Sequence, residues 1–576
     1  MDAEIFFVLV GAVLVAAVAR WRGWPAPLLV TGVALAVAFL PFVPNPTIDG
    51  HLLLNIVLPP LLYSAALDVS FVSFKRSMPQ IRRLGVGLVI VTTAAVGLVA
   101  WLLMPQLTLP GALLLGAIVA PPDAVSAAAI GRKLGLPRRV MSVLSGESLI
   151  NDATSLTLYR VFAVIIAGAT TMTVWDGIWQ FVVAVVVGVL VGLIFGAVLH
   201  QLRMRISDPV VSGTFGLLAP FGAYAIAEHL LGSGVLAVVA MGLFVGYNSP
   251  RTSYTMRQQE KPLWLSADFL LESFVFAYIG LQLPRVMADL GALHVGGALG
   301  LSVVVLVVVL VVRPLFVYPA SAWGQMWQRF RMKRWSAAIA QGRFAEAERR
   351  YEQALANGAR MRRPKTAEQV REQMMEPSLS WRDNAVVSWA GMRGVVTLAT
   401  ALAAADLAGL DDAASHVIVV VAFFVTVGTL LLQGLTLPLL IRKLNVADES
   451  EAGEDAREVA AVMKRSREAG KAYLRGMRTK WIEKHGEERL AAFDKFAERL
   501  VKVESNAEQA QPQVVRPTYE ELLFLSRGWL KVRRQVLLDE RDAGNLSEEV
   551  MRELITAMDA EELMLDTRSD MRASSA

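Results

Sequence analysis

The chain has 576 residues, of which 55% are hydrophobic and 19% charged, and its mean hydropathy is +0.47. This composition is too apolar for one soluble core and excludes a soluble enzyme of this size. The net charge of +5 does not indicate nucleic-acid binding, because the basic residues are concentrated in the loops on one side of the membrane, as described below. The absence of cysteine excludes disulfides and thiolate metal sites.

Apolar runs long enough to cross about 30 Å of hydrocarbon recur through most of the chain. They are continuous blocks and not the short alternating strands of a barrel, so we predict an all-α polytopic membrane protein. The thirteen predicted spans cover residues 4–20, 26–43, 51–69, 84–104, 108–130, 140–168, 174–199, 211–231, 233–247, 264–283, 294–319, 384–404 and 415–441.

Charge in the connecting loops predicts the orientation. Basic residues follow spans one, three, five, seven and nine, whereas the loops after even-numbered spans lack Lys and Arg apart from Arg285. The positive-inside rule therefore places the N-terminus outside and the C-terminus in the cytoplasm. The acidic start at Met1–Glu4 has no signal-peptide pattern, so the first span is expected to remain in the mature protein.

Two domains are predicted. A thirteen-helix transmembrane domain covers 1–445 with a cytoplasmic insertion at 323–383, and a helical cytoplasmic domain covers 446–576. The insertion has the charge pattern of a solvated linker helix. In the tail, Ser547 is expected to cap a helix that starts at Glu548. A passive bundle and a regulatory or self-associating tail both remain open.

Span five contains a predicted helix break. Pro121 and Pro122 stand near its middle and are followed by Asp123. Consecutive prolines remove backbone donors and clash with the preceding turn, so carbonyl groups must be left free there. Unwound backbone at this depth is tolerated where it is buried or lines a polar cavity.

Span twelve carries the companion feature, with Gly391 and Gly394 on either side of Arg393. The numbers of spans five and twelve differ by seven. Because this is an odd number, the two spans cross the membrane in opposite directions. This arrangement is typical of inverted repeats with two crossed, discontinuous helices and a binding site near the midplane. Asp123 and Arg393 could each act in ion binding, or could balance the charges of the helix ends.

Span six places three oxygen-bearing side chains on one stripe. Ser148 and Asp152 are four residues apart, and Asn151 lies beside them. A carboxylate, an amide and a hydroxyl suit a hard cation. The stripe therefore predicts a site at which a monovalent cation and a proton compete for Asp152.

Glu147 faces away from this stripe and needs a basic partner. We expect a structural ion pair with Arg393, and Arg160 is the alternative partner. Buried charges of this kind are usually paired.

Other charged residues have less specific patterns. Asp68 and Glu228 lie near span ends and are expected to be solvated, and Arg313 is expected to snorkel to the surface. Asp268 and Glu272 share one face of span ten, where Glu272 could line the pathway or be structural.

Several enzyme classes find no support. The six histidines have no metal-ligand spacing, and no phosphate-binding loop for ATP occurs. An intramembrane hydrolase that uses Ser148 would lack a histidine base at mid-depth.

The sequence resembles the bacterial branch of the sodium/proton exchanger family, the cation:proton antiporters, over essentially all of 1–445. Five motifs in order carry the resemblance, and they are Leu58–Tyr63, Pro121–Val125, Gly146–Asp152, Gly280–Leu283 and Gly391–Gly394.

The resemblance implies a role for each matching residue. It implies that Asp152 binds cation and proton alternately, next to Asn151 and Ser148, and that Asp123 is the aspartate of the broken helix. It also implies a homodimer of thirteen-helix protomers. Asn151 before Asp152, in place of a second aspartate, is associated with electroneutral exchange.

The resemblance further implies the ion pair of Glu147 with Arg393. One departure is Ser64, where many relatives have an acidic residue. This difference leaves cation affinity and selectivity open.

We therefore predict a secondary antiporter of the cytoplasmic membrane that exchanges Na⁺, or Li⁺ or K⁺, for H⁺ by alternating access and serves pH homeostasis. Asp152, Asp123 and Ser148 are the expected ligands of the transported cation, and no cofactor is expected. The expected partners are the bilayer, the ions and a second copy of the chain, with no nucleic acid and an unknown partner for the tail. The alternatives are a K⁺-specific exchanger or cation channel, a membrane ion sensor without transport, and the hydrolase above.

Overall fold

The computed structural model describes residues 2–41, 43, 48–104, 106–168, 174–206, 208–291, 295–340, 349, 379–446, 449–485, 490, 493–495, 497–498, 519–544 and 546–573. All regular secondary structure within these residues is helical. The expectation of an all-α polytopic chain is confirmed at this level.

The described residues up to Asn248 form ten helices. They are α1 (Asp2–Arg22), α2 (Ala26–Val37), α3 (Gly50–Asp68), α4 (Phe71–Leu103), α5 (Leu109–Val119), α6 (Ala124–Lys133), α7 (Arg138–Ile166), α8 (Val174–Arg205), α9 (Pro209–His229) and α10 (Gly234–Asn248). Short π-helical stretches interrupt α3 at Leu53–Val57 and α4 at Arg83–Leu88.

Nine further helices follow in the part of the chain after Asn248 that the structure describes. They are α11 (Tyr254–Leu281), α12 (Leu283–Gly291), α13 (Val295–Ala340), α14 (Trp381–Trp389), α15 (Val395–Ala405), α16 (Asp412–Leu444), α17 (Glu449–His485), α18 (Tyr519–Ala543) and α19 (Glu548–Ala573). Most of the predicted insertion at 323–383 lies outside the described residues.

Length and apolarity identify nine helices in the described part of the chain that can each cross a membrane alone. Three shorter apolar helices, α2, α5 and α15, add to this set. Two of these short helices adjoin the positions at which spans five and twelve were expected to break.

Helix α4 begins earlier than the predicted span at residue 84. Its N-terminus is capped by Ser70, whose hydroxyl accepts from the amide of Ser73 at 3.2 Å. The basic segment up to Arg83 is amphipathic, so it continues the helix beyond the apolar run that hydropathy detects.

The chain separates into two compact units. One comprises residues 1–249 and 255–447, and the other 250–254 and 448–576. In the second unit, Ser547 caps α19, because its hydroxyl accepts from the amide of Val550 at 3.4 Å. This predicted cap is confirmed.

Small residues bring the membrane helices close to one another. A Cβ added to Gly116 of α5 would overlap the carbonyl of Thr93 in α4. A Cβ added to Gly50 of α3 would overlap the backbone of α15 at Ala399 and Ala403. Close approach through small residues is how membrane helices gain packing energy without a hydrophobic driving force.

Candidate functional site

The first helix break follows the double proline. Helix α5 ends at Val119, and α6 starts at Ala124, with Asp123 in the non-helical segment between them. The clash of proline with the preceding turn explains why the helix stops there.

The second break lies between α14 and α15, which end at Trp389 and begin at Val395. The two breaks meet directly, because the amide of Asp123 donates to the carbonyl of Met392 at 2.6 Å. Gly394 is needed at this contact, since a Cβ there would overlap the Asp123 side chain.

Asp152 lies on α7 and is buried, with 7% exposure. The carboxylate of Asp123 acts on it electrostatically. Within the described residues, the Asp152 side chain has no hydrogen bond and no ion pair. A buried carboxylate without a partner is costly, so this position is a candidate for binding a proton or a cation.

Asn151 fixes the backbone of the first break beside this carboxylate. Its side-chain amide donates to the carbonyl of Pro122 at 2.7 Å. The side-chain oxygen of Asn151 is buried and accepts no hydrogen bond among the described residues. One end of this side chain therefore holds the broken helix, while the other offers an oxygen ligand.

The polar stripe on α7 contains one more residue than the sequence analysis assigned to it. Ser148 is half-buried, and Asp152 follows one turn later. Ser155 comes next and donates to the carbonyl of Ala117 in α5 at 2.8 Å. The continued helical spacing could have identified Ser155, which ties α7 to the half-helix before the break.

Arg393 binds helix-end carbonyls. Its guanidinium donates to Val119 at 2.7 Å and to Gly391 at 2.5 Å. Its backbone amide donates to the hydroxyl of Thr429 in α16 at 3.0 Å. Arg393 is 2% exposed and places a positive charge at the negative C-terminal end of α5.

The predicted pairing of Glu147 with Arg393 is wrong in this structure. Glu147 instead forms a two-bond ion pair with Arg313 of α13, at 2.7 and 2.9 Å. Arg313 also donates to the carbonyl of Val387 at 3.0 Å. A Cβ at Gly391 would lie 2.7 Å from Arg313, so this glycine makes room for the pair.

Arg313 was expected to snorkel, which is also wrong. Its side chain is 3% exposed, and that of Glu147 is 2% exposed. A guanidinium buried this deeply is held by its fixed fork of donors, because Nε, Nη1 and Nη2 of Arg313 each donate to an oxygen atom.

Two further expectations need correction. Arg160 does not reach Glu147 but pairs with Glu228, whose side chain is 27% exposed and not freely solvated.

Ser64 donates a hydrogen bond to Asp268, so a carboxylate of α11 occupies the place beside residue 64. Sequence position alone could not identify these partners, because they are 68 and 204 residues away.

Comparison with known proteins places these features in a family. The family model described as "Sodium/hydrogen exchanger, transmembrane" matches residues 5–443. An uncharacterized Na⁺/H⁺ exchanger of Mycobacterium tuberculosis is 29% identical over 98% of this chain and 97% of its own length. The Na⁺/H⁺ antiporter ApNhaP of Aphanothece halophytica is 27% identical over 74% of this chain and 71% of its own.

A solved structure has a similar fold. The sodium proton antiporter MjNhaP1 of Methanocaldococcus jannaschii aligns with a TM-score of 0.53 and 17% identity, covering 78% of this chain and 99% of that one. The family match spans most of the chain and includes both helix breaks and the whole of the buried site. The chain therefore belongs to the sodium/hydrogen exchanger family.

Proposed function

We propose that the protein exchanges Na⁺, or Li⁺ or K⁺, for H⁺ across the cytoplasmic membrane, with Asp152 as the site that both ions share. The observation that carries this proposal is the buried carboxylate of Asp152, which lies beside two helix breaks without a partner in the described structure. Family membership and the antiporter relatives support the exchange of cation for proton.

In this mechanism, deprotonated Asp152 binds the cation together with Asn151, Ser148, Asp123 and free carbonyls of the break. Oxygen ligands and a negative charge compensate for the lost hydration of a hard cation. Protonation of Asp152 removes that charge and releases the cation. Because the two ions compete for one carboxylate, they are carried in turn by alternating access.

The two breaks support a crossed pair of discontinuous helices within inverted repeats. The hydrogen bond from Asp123 to Met392 is the direct contact between them. On this interpretation the membrane domain has thirteen spans, of which α5–α6 and α14–α15 form one each.

Electroneutral exchange follows from the number of carboxylates that titrate. Asn151 cannot carry a proton in exchange and uses its amide to hold Pro122. With Asp152 as the one group that changes charge, one monovalent cation is exchanged for one proton.

A line of acidic residues supports an access path. Asp268 interacts electrostatically with Asp68, and Glu272 interacts with both Asp268 and Asp123. Asp123 in turn acts on Asp152. Successive negative charges raise the local cation concentration along a path of low dielectric. With the orientation that the basic loops predict, the Asp68 end lies on the cytoplasmic side.

The remaining assignments complete the proposal. The N-terminus is outside and the C-terminus is cytoplasmic, residues 1–445 form the exchanger domain, and 446–576 form a helical cytoplasmic domain. The working unit is a homodimer, and it needs no cofactor besides the transported ions.

The test uses purified protein in liposomes that carry a pH gradient and a fluorescent pH reporter. Addition of Na⁺, Li⁺ or K⁺ in turn should dissipate the gradient, and the rate should not change when the membrane potential is clamped to zero. Asp152→Asn should abolish the response, because an amide cannot exchange a proton.

Each alternative gives a different result in this assay. A channel would dissipate the gradient only when charge is compensated, and a response to K⁺ alone would identify a K⁺-specific exchanger. A sensor would give no response in tight vesicles that contain folded protein. Full activity of Asp152→Asn would contradict the role of this site.

A further inference from the structure

A groove opens beside the half-helix that leads into the second break. Its volume is about 430 Å³, which is within the size range of small-molecule sites. Helices α13, α14 and α16 line it through residues that include Pro314, Tyr318, Ser388, Trp389, Leu439 and Lys443.

The surroundings of the groove are apolar and face outward. The exposed fractions are 68% for Leu315, 64% for Leu435 and 65% for Leu439. In a membrane-spanning helix, such side chains contact acyl chains. The groove is therefore open to the hydrocarbon of the bilayer and not to an aqueous path.

One polar group that lines the groove has no partner among the described residues. The Ser388 side chain is 6% exposed, and its hydroxyl forms no hydrogen bond within the described part of the chain. Nearby, the indole of Trp389 donates to the hydroxyl of Thr436 at 2.8 Å. A buried hydroxyl without a partner costs free energy unless a ligand supplies one.

The opposite end of the groove has the features of a membrane surface. Tyr318 donates to the carbonyl of Trp381 at 3.2 Å. Trp381 is 61% exposed, and the guanidinium of Arg382 lies 5.7 Å from its ring. Tyr, Trp and basic residues together are typical of the headgroup level. Lys443 is exposed and forms no ion pair among the described residues.

We propose that this groove binds one anionic phospholipid. One of its two acyl chains lies along α16, and Lys443 binds the headgroup phosphate. Thr436 and Lys443 are seven residues apart, so the groove follows the helix for about 10 Å. Ser388, which directly precedes Trp389 on α14, donates its hydroxyl to an ester oxygen of the lipid. Basic pockets between membrane helices recognise anionic headgroups in this way.

The proposal does not depend on ion exchange, since it rests on the groove alone. Its consequence is local, because Trp389 is the last residue of α14 before the break that contains Arg393. A bound lipid would thus pack against the half-helix next to the ion site.

The test is native mass spectrometry of the full chain in detergent, titrated with phosphatidylglycerol or phosphatidylcholine of identical acyl chains. We expect one molecule of phosphatidylglycerol to bind tightly and phosphatidylcholine to bind more weakly. Lys443→Gln should weaken phosphatidylglycerol binding about five-fold. Lys75→Gln is the matched control, because Lys75 is also an exposed basic residue and lies on α4, away from the groove.

Two further variants test the groove itself. Ser388→Leu should weaken both lipids by filling the cavity, and Ala385→Leu serves the same purpose if the first variant does not fold. Equal binding of the two lipids by the unmodified protein would overturn the proposal. An equal effect of Lys443→Gln and Lys75→Gln, or tight binding that survives a folded groove-filling variant, would also overturn it.

Discussion

Two buried carboxylates lie five residues apart on α7, and their surroundings differ. Glu147 receives two hydrogen bonds from Arg313 and is 2% exposed. Asp152 is 7% exposed, and no cationic partner reaches it within the described residues. The same helix therefore contains one carboxylate whose charge is compensated and another whose charge is not.

This difference in surroundings predicts a structural role for one carboxylate and an ion-binding role for the other. Removal of one member of a buried ion pair leaves the other charge uncompensated. A carboxylate that already lacks a partner is destabilising when charged, and a folded protein retains it where an ion or proton can neutralise it. Glu147 is thus expected to hold the fold together, whereas Asp152 is expected to bind the transported ions.

The largest effect is expected when the ion pair is broken. Glu147→Gln should lower the free energy of unfolding by roughly 3–5 kcal/mol, because Arg313 is left charged and buried. Thermal unfolding in detergent would measure this loss. The double variant Glu147→Gln, Arg313→Met should recover much of the stability, and a double variant as unstable as the single one would argue against a pairwise cause.

A smaller loss is expected at Arg393. Arg393→Lys keeps the charge but puts one ammonium nitrogen in place of the two separate nitrogens that reach the carbonyls of Val119 and Gly391, so one of these bonds should be lost. Loss of one buried hydrogen bond should cost about 1–3 kcal/mol, measured by the same unfolding assay. Normal stability combined with lost transport would instead indicate that Arg393 acts directly on the ions.

A modest effect on transport is expected at Asp268. Asp268→Asn keeps an acceptor for Ser64 and removes one negative charge from the proposed access path. The cation concentration for half-maximal exchange should rise about two- to five-fold, as expected for a charge effect of 0.5–1 kcal/mol. Asp412→Asn is the control, since Asp412 begins α16 and is not part of the acidic line. Equal effects of both variants would contradict a path through Asp268.

The smallest effect on stability is expected at Asp152. Asp152→Asn removes an uncompensated charge and leaves the Asn151 hydrogen bond to Pro122 intact. Its unfolding temperature should equal or slightly exceed that of the unmodified protein. A loss comparable to that of Glu147→Gln would show that Asp152 has a structural partner and would remove the contrast between the two carboxylates.

The comparison also explains which features could be predicted. The breaks at 120–123 and 390–394 could be located from proline and glycine, because backbone sterics act locally. The stripe of Ser148, Asn151 and Asp152 followed from helical periodicity. The partner of Glu147 could not be found in this way, since Arg393 and Arg160 were the expected candidates and the observed partner is Arg313.

The sequence by itself determined the helices, the breaks and the face of α7 that holds the candidate ligands. These features depend on residues within a few turns of one another. Only the tertiary structure decided that Arg313 binds Glu147, that Arg393 binds helix-end carbonyls, and that Asp268 lies beside Ser64. Such pairings depend on which helices pack side by side, and distant segments fix that arrangement through close contacts that no local pattern encodes.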